Sequence, residues 1–304
     1  MESKLEFYSK QIKSRGIHPR FDRLDPHSIN ADLHCHSYMS DGALAPAEVA
    51  QRAADHGVQL WALTDHDELG GIAPAREAAL AAGMAFVSGV EVSVTWGGET
   101  IHVVGLGIDE NHAELTLGLK RTRDGRDERA REMGEQLARR GIPDAYEGAL
   151  VYAANPGLVG RTHFARFLVA QGHCDSVRDV FQKYLTEGKP GFVPHRWARL
   201  SEAVEWINGA GGVAVLAHPG RYRFKPPMLD LMIDEFKQCG GAAIEVICGS
   251  HTRDQFSSFA KVAKRFDLMA SRGSDFHAPN ESHVELGRLP LLPDALIPVW
   301  HRLV

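Results

Sequence analysis

The sequence predicts an α/β protein: a barrel-like sheet interrupted by an inserted, mainly helical subdomain. Three observations carry this. From Asn30 onward short apolar runs alternate with helical patterns, as in βα units around a largely parallel sheet. About seven such runs can be counted, joined by short loops, which favours a barrel over an open sheet. Between 111 and 190 the rhythm stops and no apolar strand can be recognised.

Taken in order, residues 31–36 read as a strand. Pro46 at a first helical position, apolar spacing through Val49, Ala50 and Ala53, and Gly57 as the stop predict a helix. The next strand is 58–63, followed by a helix over 74–82 that Gly83 ends, and then a buried strand over 84–90. Residues 91–96 and 100–106, joined by Gly97-Gly98, read as a hairpin rather than a crossover. The segment 111–140 is rich in Arg and Glu and reads as an exposed helix or helix pair. Alternation resumes with helix 201–208, strand 213–217, helix 227–238, strand 242–247, helix 253–266 and strand 268–271. The expected organisation is therefore an N-terminal extension (1–29), a first part of the barrel (30–110), the helical insertion (111–190) and a second part (191–304).

A chain of 304 residues, 44% hydrophobic and 24% charged, has ordinary globular composition and needs neither disulfides nor a structural metal to fold. Its four cysteines are scattered, without a CxxC pair, which argues against a disulfide framework or a thiolate zinc site and fits a reducing cytoplasm. Residues 1–23 alternate charge and aromatics and hold no apolar targeting core, and no stretch approaches the ~18 apolar residues of a membrane span. A cytoplasmic protein without a membrane partner is expected. A formal charge of -5 offers no broad basic surface for duplex DNA, although a local basic pocket for a small anion remains compatible with it.

Histidine is out of line: 16 His outnumber 13 Phe. The His and acidic residues fall where predicted strands end, the face on which α/β barrels build active sites. His34 and His36, two apart on a strand, project to one side and can reach one metal. Asp41 follows in Ser40-Asp41-Gly42. Strand two ends in Thr64-Asp65-His66-Asp67, strand three runs into Gly89-Val90-Glu91, and the hairpin carries His102. His218 precedes Pro219, and the last strand ends in Ser274-Asp275-Phe276-His277. Any one of these has an ordinary explanation as a surface His or a turn Asp. Together they do not, because unpaired buried charges are too costly to accumulate at five strand ends by drift.

Imidazole and carboxylate without thiolate suit Zn, Mn or Fe. With roughly three to four protein ligands per ion, the nine candidates point to two or three divalent ions sharing carboxylates. Such clusters typically serve hydrolysis at phosphorus.

The series Asp-x-His-x-His, Ser-Asp-Gly, Thr-Asp-His-Asp, Gly-Val-Glu, a strand His, Ala-His-Pro-Gly and Gly-Ser-Asp-x-His, running in order from Asp32 to His277, resembles the PHP (polymerase and histidinol phosphatase) superfamily. The resemblance implies a distorted (β/α)7 barrel and a trinuclear centre. One metal would take His34, His36, Glu91 and Asp275. A second would take Glu91, His102 and His218, and a third Asp41, His66 and His277, with Glu91 bridging the first two. Glu91, Asp275 and His218 would thereby stand at the reacting centre.

Gly160-Arg161-Thr162-His163 resembles the Gly-Arg-Pro-His segment of stand-alone bacterial members, with Thr162 replacing proline. Arg161, His195 after Gly-Phe-Val-Pro, and Arg221 are the expected phosphate contacts, a planar and permanently charged guanidinium suiting that task. The expected activity is removal of a phosphate from 3′,5′-nucleoside bisphosphates, or from the 5′ ends of short RNAs, through attack by metal-bound hydroxide. The alternatives are another small phosphomonoester such as histidinol phosphate, a metal-dependent amidohydrolase, and a non-catalytic scaffold. No predicted strand ends in the lysine that a carboxylated-lysine amidohydrolase site needs, and the complete ligand set speaks against a scaffold.

Overall fold

The computed structural model describes residues 26–303. The segment 1–23, with its charge and aromatic alternation, lies outside the described residues. Seven strands lie side by side in chain order. They are β1 (Ala31–Asp32), β2 (Leu60–Leu63), β3 (Ala85–Trp96), β4 (Glu99–Leu106), β5 (Val213–Leu216), β6 (Ala243–Cys248) and β7 (Met269–Gly273). All neighbours are parallel except that β4 runs antiparallel to both β3 and β5. The sheet closes on itself where the chain beyond β1 meets the end of β7. Leu33 N–H donates to the Arg272 carbonyl at 3.0 Å, Asp275 N–H to that of His34 at 2.8 Å, and His36 N–H to that of Phe276 at 2.8 Å. The result is the distorted seven-stranded α/β barrel expected from the sequence.

Apolar periodicity places the helices. In α1 (Pro46–Asp55) the Ala45 N–H donates to Glu48 Oε2 at 2.8 Å, fixing the start. Its Val49, Ala50 and Ala53 are buried in one cluster with Trp61 and Leu63 of β2 and Ala75 and Ala79 of α2 (Ile72–Ala81). After β4 come α3 (Ala113–Asp124), α4 (Arg126–Ala138), α5 (Ala145–Leu150), α6 (Arg161–Ala170) and α7 (Val177–Val180). The second part of the barrel adds α8 (Leu200–Gly209), α9 (Pro226–Gln238) and α10 (Arg253–Arg265). No helix among the described residues is long and apolar enough to cross a membrane.

Two differences from the sequence reading have physical causes. The strand expected over 84–90 and the first arm of the hairpin are one continuous strand, β3, whose first half pairs with β2 and whose second half pairs with β4. Gly89 does not break it. A Cβ at Gly89 would stand 2.7 Å from Thr64 Cγ2 and 2.9 Å from the Leu63 carbonyl oxygen, so the glycine lets the end of β2 lie close against β3. The segment 111–140, in turn, is less exposed than its charge suggests. Leu115 and Leu119 of α3 are buried in the main barrel core, whereas Met133 and Leu137 of α4 enter a second core that gathers apolar residues from Ala130 to Val193. Each helix thus carries its own narrow apolar stripe under a charged outer face.

Candidate metal centre

Every one of the nine sequence-derived candidates reaches the same end of the barrel. His34 and His36 follow β1, His66 follows β2, Glu91 lies within β3, His218 follows β5, and Asp275 and His277 follow β7. His102 belongs to this end because β4 is reversed: it is the fourth residue of that strand and pairs in register with Ser93.

Glu91 is at the middle. Its side chain is fully buried, and its two oxygens face different imidazoles. Oε1 lies 2.9 Å from His102 Nδ1 and 3.0 Å from His218 Nε2. Oε2 lies 3.3 Å from both His34 Nε2 and His36 Nε2 and 3.0 Å from His66 Nδ1. Asp275 Oδ1 completes the set around His34 and His36 at 3.6 and 3.5 Å. Asp41 Oδ1 is 3.4 Å from His277 Nε2, 3.9 Å from His66 Nε2 and 3.9 Å from His36 Nδ1.

The donor set fits divalent cations. Metal–ligand bonds of about 2.1 Å put neighbouring tetrahedral ligand atoms about 3.4 Å apart, close to the 3.3–3.6 Å separations among His34, His36, Glu91 and Asp275. His36 Nδ1, Asp41 Oδ1, His66 Nδ1, Glu91 Oε2 and His218 Nδ1 are all buried without a hydrogen-bond partner. Buried polar atoms in a native interior are satisfied, so this concentration of orphans at one point marks a place for ligands beyond the protein. The groups that could hold an ion are His36/Asp41/His66/His277, His34/His36/Asp275, His34/Glu91/His218 and His66/Glu91/His102.

The electrostatics agree. Burial by itself would raise the Glu91 carboxyl, but His102, His66 and His34 hold it well below the usual carboxylate range. Asp41 is likewise held down against burial by His277, His66 and His36. For His102 and His277 burial dominates, pushing the imidazoles down to about 3 and about 4. His34 and His36 go the other way against burial: Glu91 and Glu245 raise His34 well above the ordinary imidazole value, and Asp275 and Glu91 raise His36 to about 10, so an ion bound here would take the place of those protons.

Around the cluster stand carboxylates that orient it. Glu245 of β6 accepts a hydrogen bond from His34 Nδ1 at 2.8 Å and from the His218 N–H at 2.6 Å. Asp65 accepts from the Ser37 N–H at 2.8 Å, the Ser37 hydroxyl at 2.7 Å and the Ser40 hydroxyl at 2.6 Å, shaping the loop that carries Asp41. Asp67 accepts from the N–H and hydroxyl of Ser93, both at 2.8 Å, and pairs with Arg126. Sequence reasoning singled out neither Glu245 nor Arg126. An acid inside the otherwise apolar run Ala-Ile-Glu-Val-Ile-Cys was the available signal for the first. Backbone strain gathers here as well, since Asp67, His218 and Asp275 have φ of 51, 27 and 56°.

A cavity of about 380 Å³ opens over the cluster, lined by Asp41, His66, His102, Asp275 and His277 and by Arg126, Arg129, Arg161 and Arg221. Arg161, first residue of α6, faces it without a carboxylate partner among the described residues, and Arg221 Nη1 pairs with Asp275 Oδ2 at 3.2 Å. Two of the three expected anion contacts therefore line the cavity. His195 does not: its ring packs edge-on against Trp197 with centroids 4.2 Å apart and sits against Gly125. The neighbouring Thr162 hydroxyl donates to Asp41 Oδ2 at 2.9 Å, joining α6 to the cluster.

Comparison with known proteins agrees with this geometry. A 3′,5′-nucleoside bisphosphate phosphatase of Chromobacterium violaceum is 52% identical over 274 residues, spanning 90% of this chain and 96% of that protein. A 5′-3′ exoribonuclease of Haemophilus influenzae is 43% identical, over 89% of this chain and 98% of its own. Among solved structures, a C. violaceum protein described as an amidohydrolase with bound sulfate and no metal superposes with a TM-score of 0.88 at 51% identity, covering 90% of this chain and 95% of that one. A metal-dependent phosphoesterase of Bifidobacterium adolescentis gives 0.75 at 26% identity, covering 91% and 95%. The PHP domain profile matches residues 32–193, and the chain belongs to the PHP domain family.

Proposed function

We propose that this chain is a metal-dependent phosphoesterase that removes a phosphate from 3′,5′-nucleoside bisphosphates. The observation that carries the reading is the two-sided environment of Glu91, with His102 and His218 at one oxygen and His34, His36 and His66 at the other. A buried carboxylate with imidazoles at both oxygens suits a bridging ligand. His34, His36, Glu91 and Asp275 would hold one ion, Glu91, His102 and His218 a second, and Asp41, His66 and His277 a third, with Zn, Mn or Fe suited to these donors. When bound, the ions supply Lewis acidity toward phosphoryl oxygens and toward water.

The chain's own contribution is positioning. Residues 111–190 act as an insertion that brings Arg161 to the cavity, opposite Arg221 of the barrel. Their guanidiniums can grip the equatorial oxygens of a phosphoryl group, which fixes it in line and offsets its charge. Arg221 is oriented for this by Asp275. His195 packs edge-on against Trp197, which itself lines the cavity. The relatives' names favour a nucleotide substrate, and the exoribonucleases among them favour the 5′ ends of short RNAs as a further one. The amidohydrolase reading has little support, because no lysine lines the cavity.

The test is phosphate release by purified, metal-loaded protein from adenosine 3′,5′-bisphosphate, histidinol phosphate and a 5′-phosphorylated oligoribonucleotide. Rapid release from the bisphosphate is expected. Release from histidinol phosphate alone, or amide hydrolysis with the esters inert, would overturn the proposal.

A further inference from the structure

The helical insertion meets the barrel at two places. At the start of α4, Arg126 pairs with Asp67, and Arg126 and Arg129 lie over the indole of Trp197 with guanidinium carbons 4.5 and 5.5 Å from the ring centroid. The second place is α6, whose two faces have different surroundings. Phe164 and Leu168, one turn apart, are fully buried in the insertion's own core. Thr162 and Arg166, also one turn apart, are offset from them by two positions, about 200° around an α-helix. They bond to the barrel instead.

Each of the two braces a loop that carries a candidate ligand. The Thr162 hydroxyl donates to Asp41 Oδ2 at 2.9 Å. That leaves Oδ1, buried without a hydrogen-bond partner, toward His277, His66 and His36. Arg166 Nη1 donates to the Gly42 carbonyl of the same loop at 3.4 Å, and its Nε and Nη2 donate to Glu281 at 3.0 and 2.8 Å. Glu281 belongs to the turn after β7, in which the Ser282 hydroxyl oxygen accepts the His277 N–H at 2.8 Å and the Ala278 N–H at 3.2 Å. His277 Nδ1 in turn donates to the Asp275 carbonyl at 2.8 Å, so Nε2 is the nitrogen that faces Asp41. The start of the helix is fixed by its own residues, since the Gly160 N–H donates to Nδ1 of the buried His163 at 3.0 Å.

We propose that Thr162 and Arg166 are positioning residues that make α6 part of the ion site at Asp41, His66 and His277, so that filling of this site and docking of the insertion are thermodynamically linked. The inference rests on the third-ion assignment in the phosphoesterase reading above and goes beyond it. Thr162 decides which Asp41 oxygen is free for an ion, and Arg166 holds the turn that aims His277. Linkage makes the effect mutual: an ion here favours the docked helix by as much as the docked helix favours the ion. Arg161 directly precedes Thr162, so the same contact sets the guanidinium that faces the cavity.

The experiment uses Mn2+ as the only ion and no substrate. Calorimetric titration of metal-free wild type, Thr162→Val, Thr162→Ser and Glu281→Gln reads the affinities, and anomalous diffraction from Mn2+-soaked crystals locates each ion. Val has nearly the shape of Thr but no hydroxyl. Affinity at Asp41, His66 and His277 should fall about 10- to 100-fold in T162V, the usual size for losing the outer partner of a ligand. It should stay near wild type in T162S and fall in E281Q, with the Glu91-centred ions unchanged in all three. Amide hydrogen exchange over residues 161–170 reads the reverse direction: Mn2+ should slow it in wild type and less so in T162V. Wild-type affinity in T162V, an equal fall in T162S, exchange in wild type that Mn2+ leaves unchanged, or a wild type without Mn2+ at this position each overturns the proposal. If circular dichroism shows T162V unfolded, E281Q decides by the same two readouts. Neither readout involves ester hydrolysis, so a wild type that binds its ions and cleaves no ester ends the phosphoesterase reading while the linkage stands or falls on these measurements.

Discussion

Glu245 Oε1 lies 2.8 Å from His34 Nδ1 in the fully buried floor of the cluster, while its other oxygen accepts the His218 N–H at 2.6 Å. One carboxylate therefore sets the tautomer of one candidate ligand and the backbone of another. A proton on His34 Nδ1 serves the bond to Glu245, so Nε2, which faces Glu91 and Asp275, is the nitrogen that would give its proton up to bind an ion.

Glu245→Gln should therefore damage the centre without removing a ligand. The His218 N–H is a donor and demands the Gln carbonyl, so the amide NH2 must face His34 Nδ1. A ring nitrogen opposite a donor has to accept, and the proton moves to Nε2, the atom needed for the metal. Metal affinity and activity should fall about 10- to 100-fold. Metal titration followed by calorimetry reads this, and wild-type affinity in E245Q would show that the tautomer is set elsewhere.

Most of the nine candidate ligands stood out in the sequence as a His or acid abutting an apolar run, where a strand end leaves few other roles, while Asp41 follows the first of these runs in a Ser-Asp-Gly turn. Glu245 escaped for a physical reason. It is a single acid in a strand, and its partners stand 211 and 27 residues away in the chain, so only closure of the barrel between β1 and β7 shows what it does. Arg126 and Arg129 were hidden by the charge-rich face of 111–140, where an arginine over an indole reads the same as one in solvent. For His195, the position after Gly-Phe-Val-Pro fixes the neighbourhood but not the direction of the ring, which packs edge-on against Trp197.

Asp67→Asn tests the join between the barrel and α4. Asp67 is fully buried, accepts two hydrogen bonds from Ser93 and pairs with Arg126. Asn tolerates the left-handed φ of 51°, so the backbone is kept while the charge is lost. Breaking a buried pair by neutralising one partner costs about 3–5 kcal/mol. Urea unfolding should show that loss for D67N, and a change under 1 kcal/mol would mean that solvent screens the pair.

His251, which is not itself a candidate ligand, makes stability depend on pH. Its Nε2 accepts the Gly220 N–H at 3.0 Å, its Nδ1–H donates to the Val246 carbonyl at 3.2 Å, and its ring stacks on Phe259. Both nitrogens are thus used by the neutral ring, and burial lowers its pKa below the ordinary value. Above pH ~6.5 both folded and unfolded rings are neutral and the contribution is complete. As pH falls below that value the unfolded chain binds the proton first, and stability is lost down to the folded pKa. Between pH 7.5 and 5, wild type should lose more stability than His251→Phe, which starts lower because Gly220 N–H lacks its acceptor. Parallel losses in urea titrations would exclude His251 as a source of this acid sensitivity.

Gly42→Ala probes the loop that delivers Asp41. A Cβ at Gly42 would lie 2.5 Å from the His36 carbonyl oxygen, and the obstacle is backbone, which cannot rotate aside. The loop is pinned on its other side by the bonds from Ser37 and Ser40 to Asp65, so the strain must be relieved at Asp41 and Gly42 themselves. Displacing Asp41 pulls its Oδ1 from His277 and His66 and its Oδ2 from the Thr162 hydroxyl, while Glu91 and His102, held within β3 and β4, stay in place. Elemental analysis of G42A should show the ion at Asp41, His66 and His277 lost or weakened and the Glu91-centred ions retained, with activity reduced at least tenfold. Uniform loss of all ions would show instead that the three positions fill as one cooperative unit.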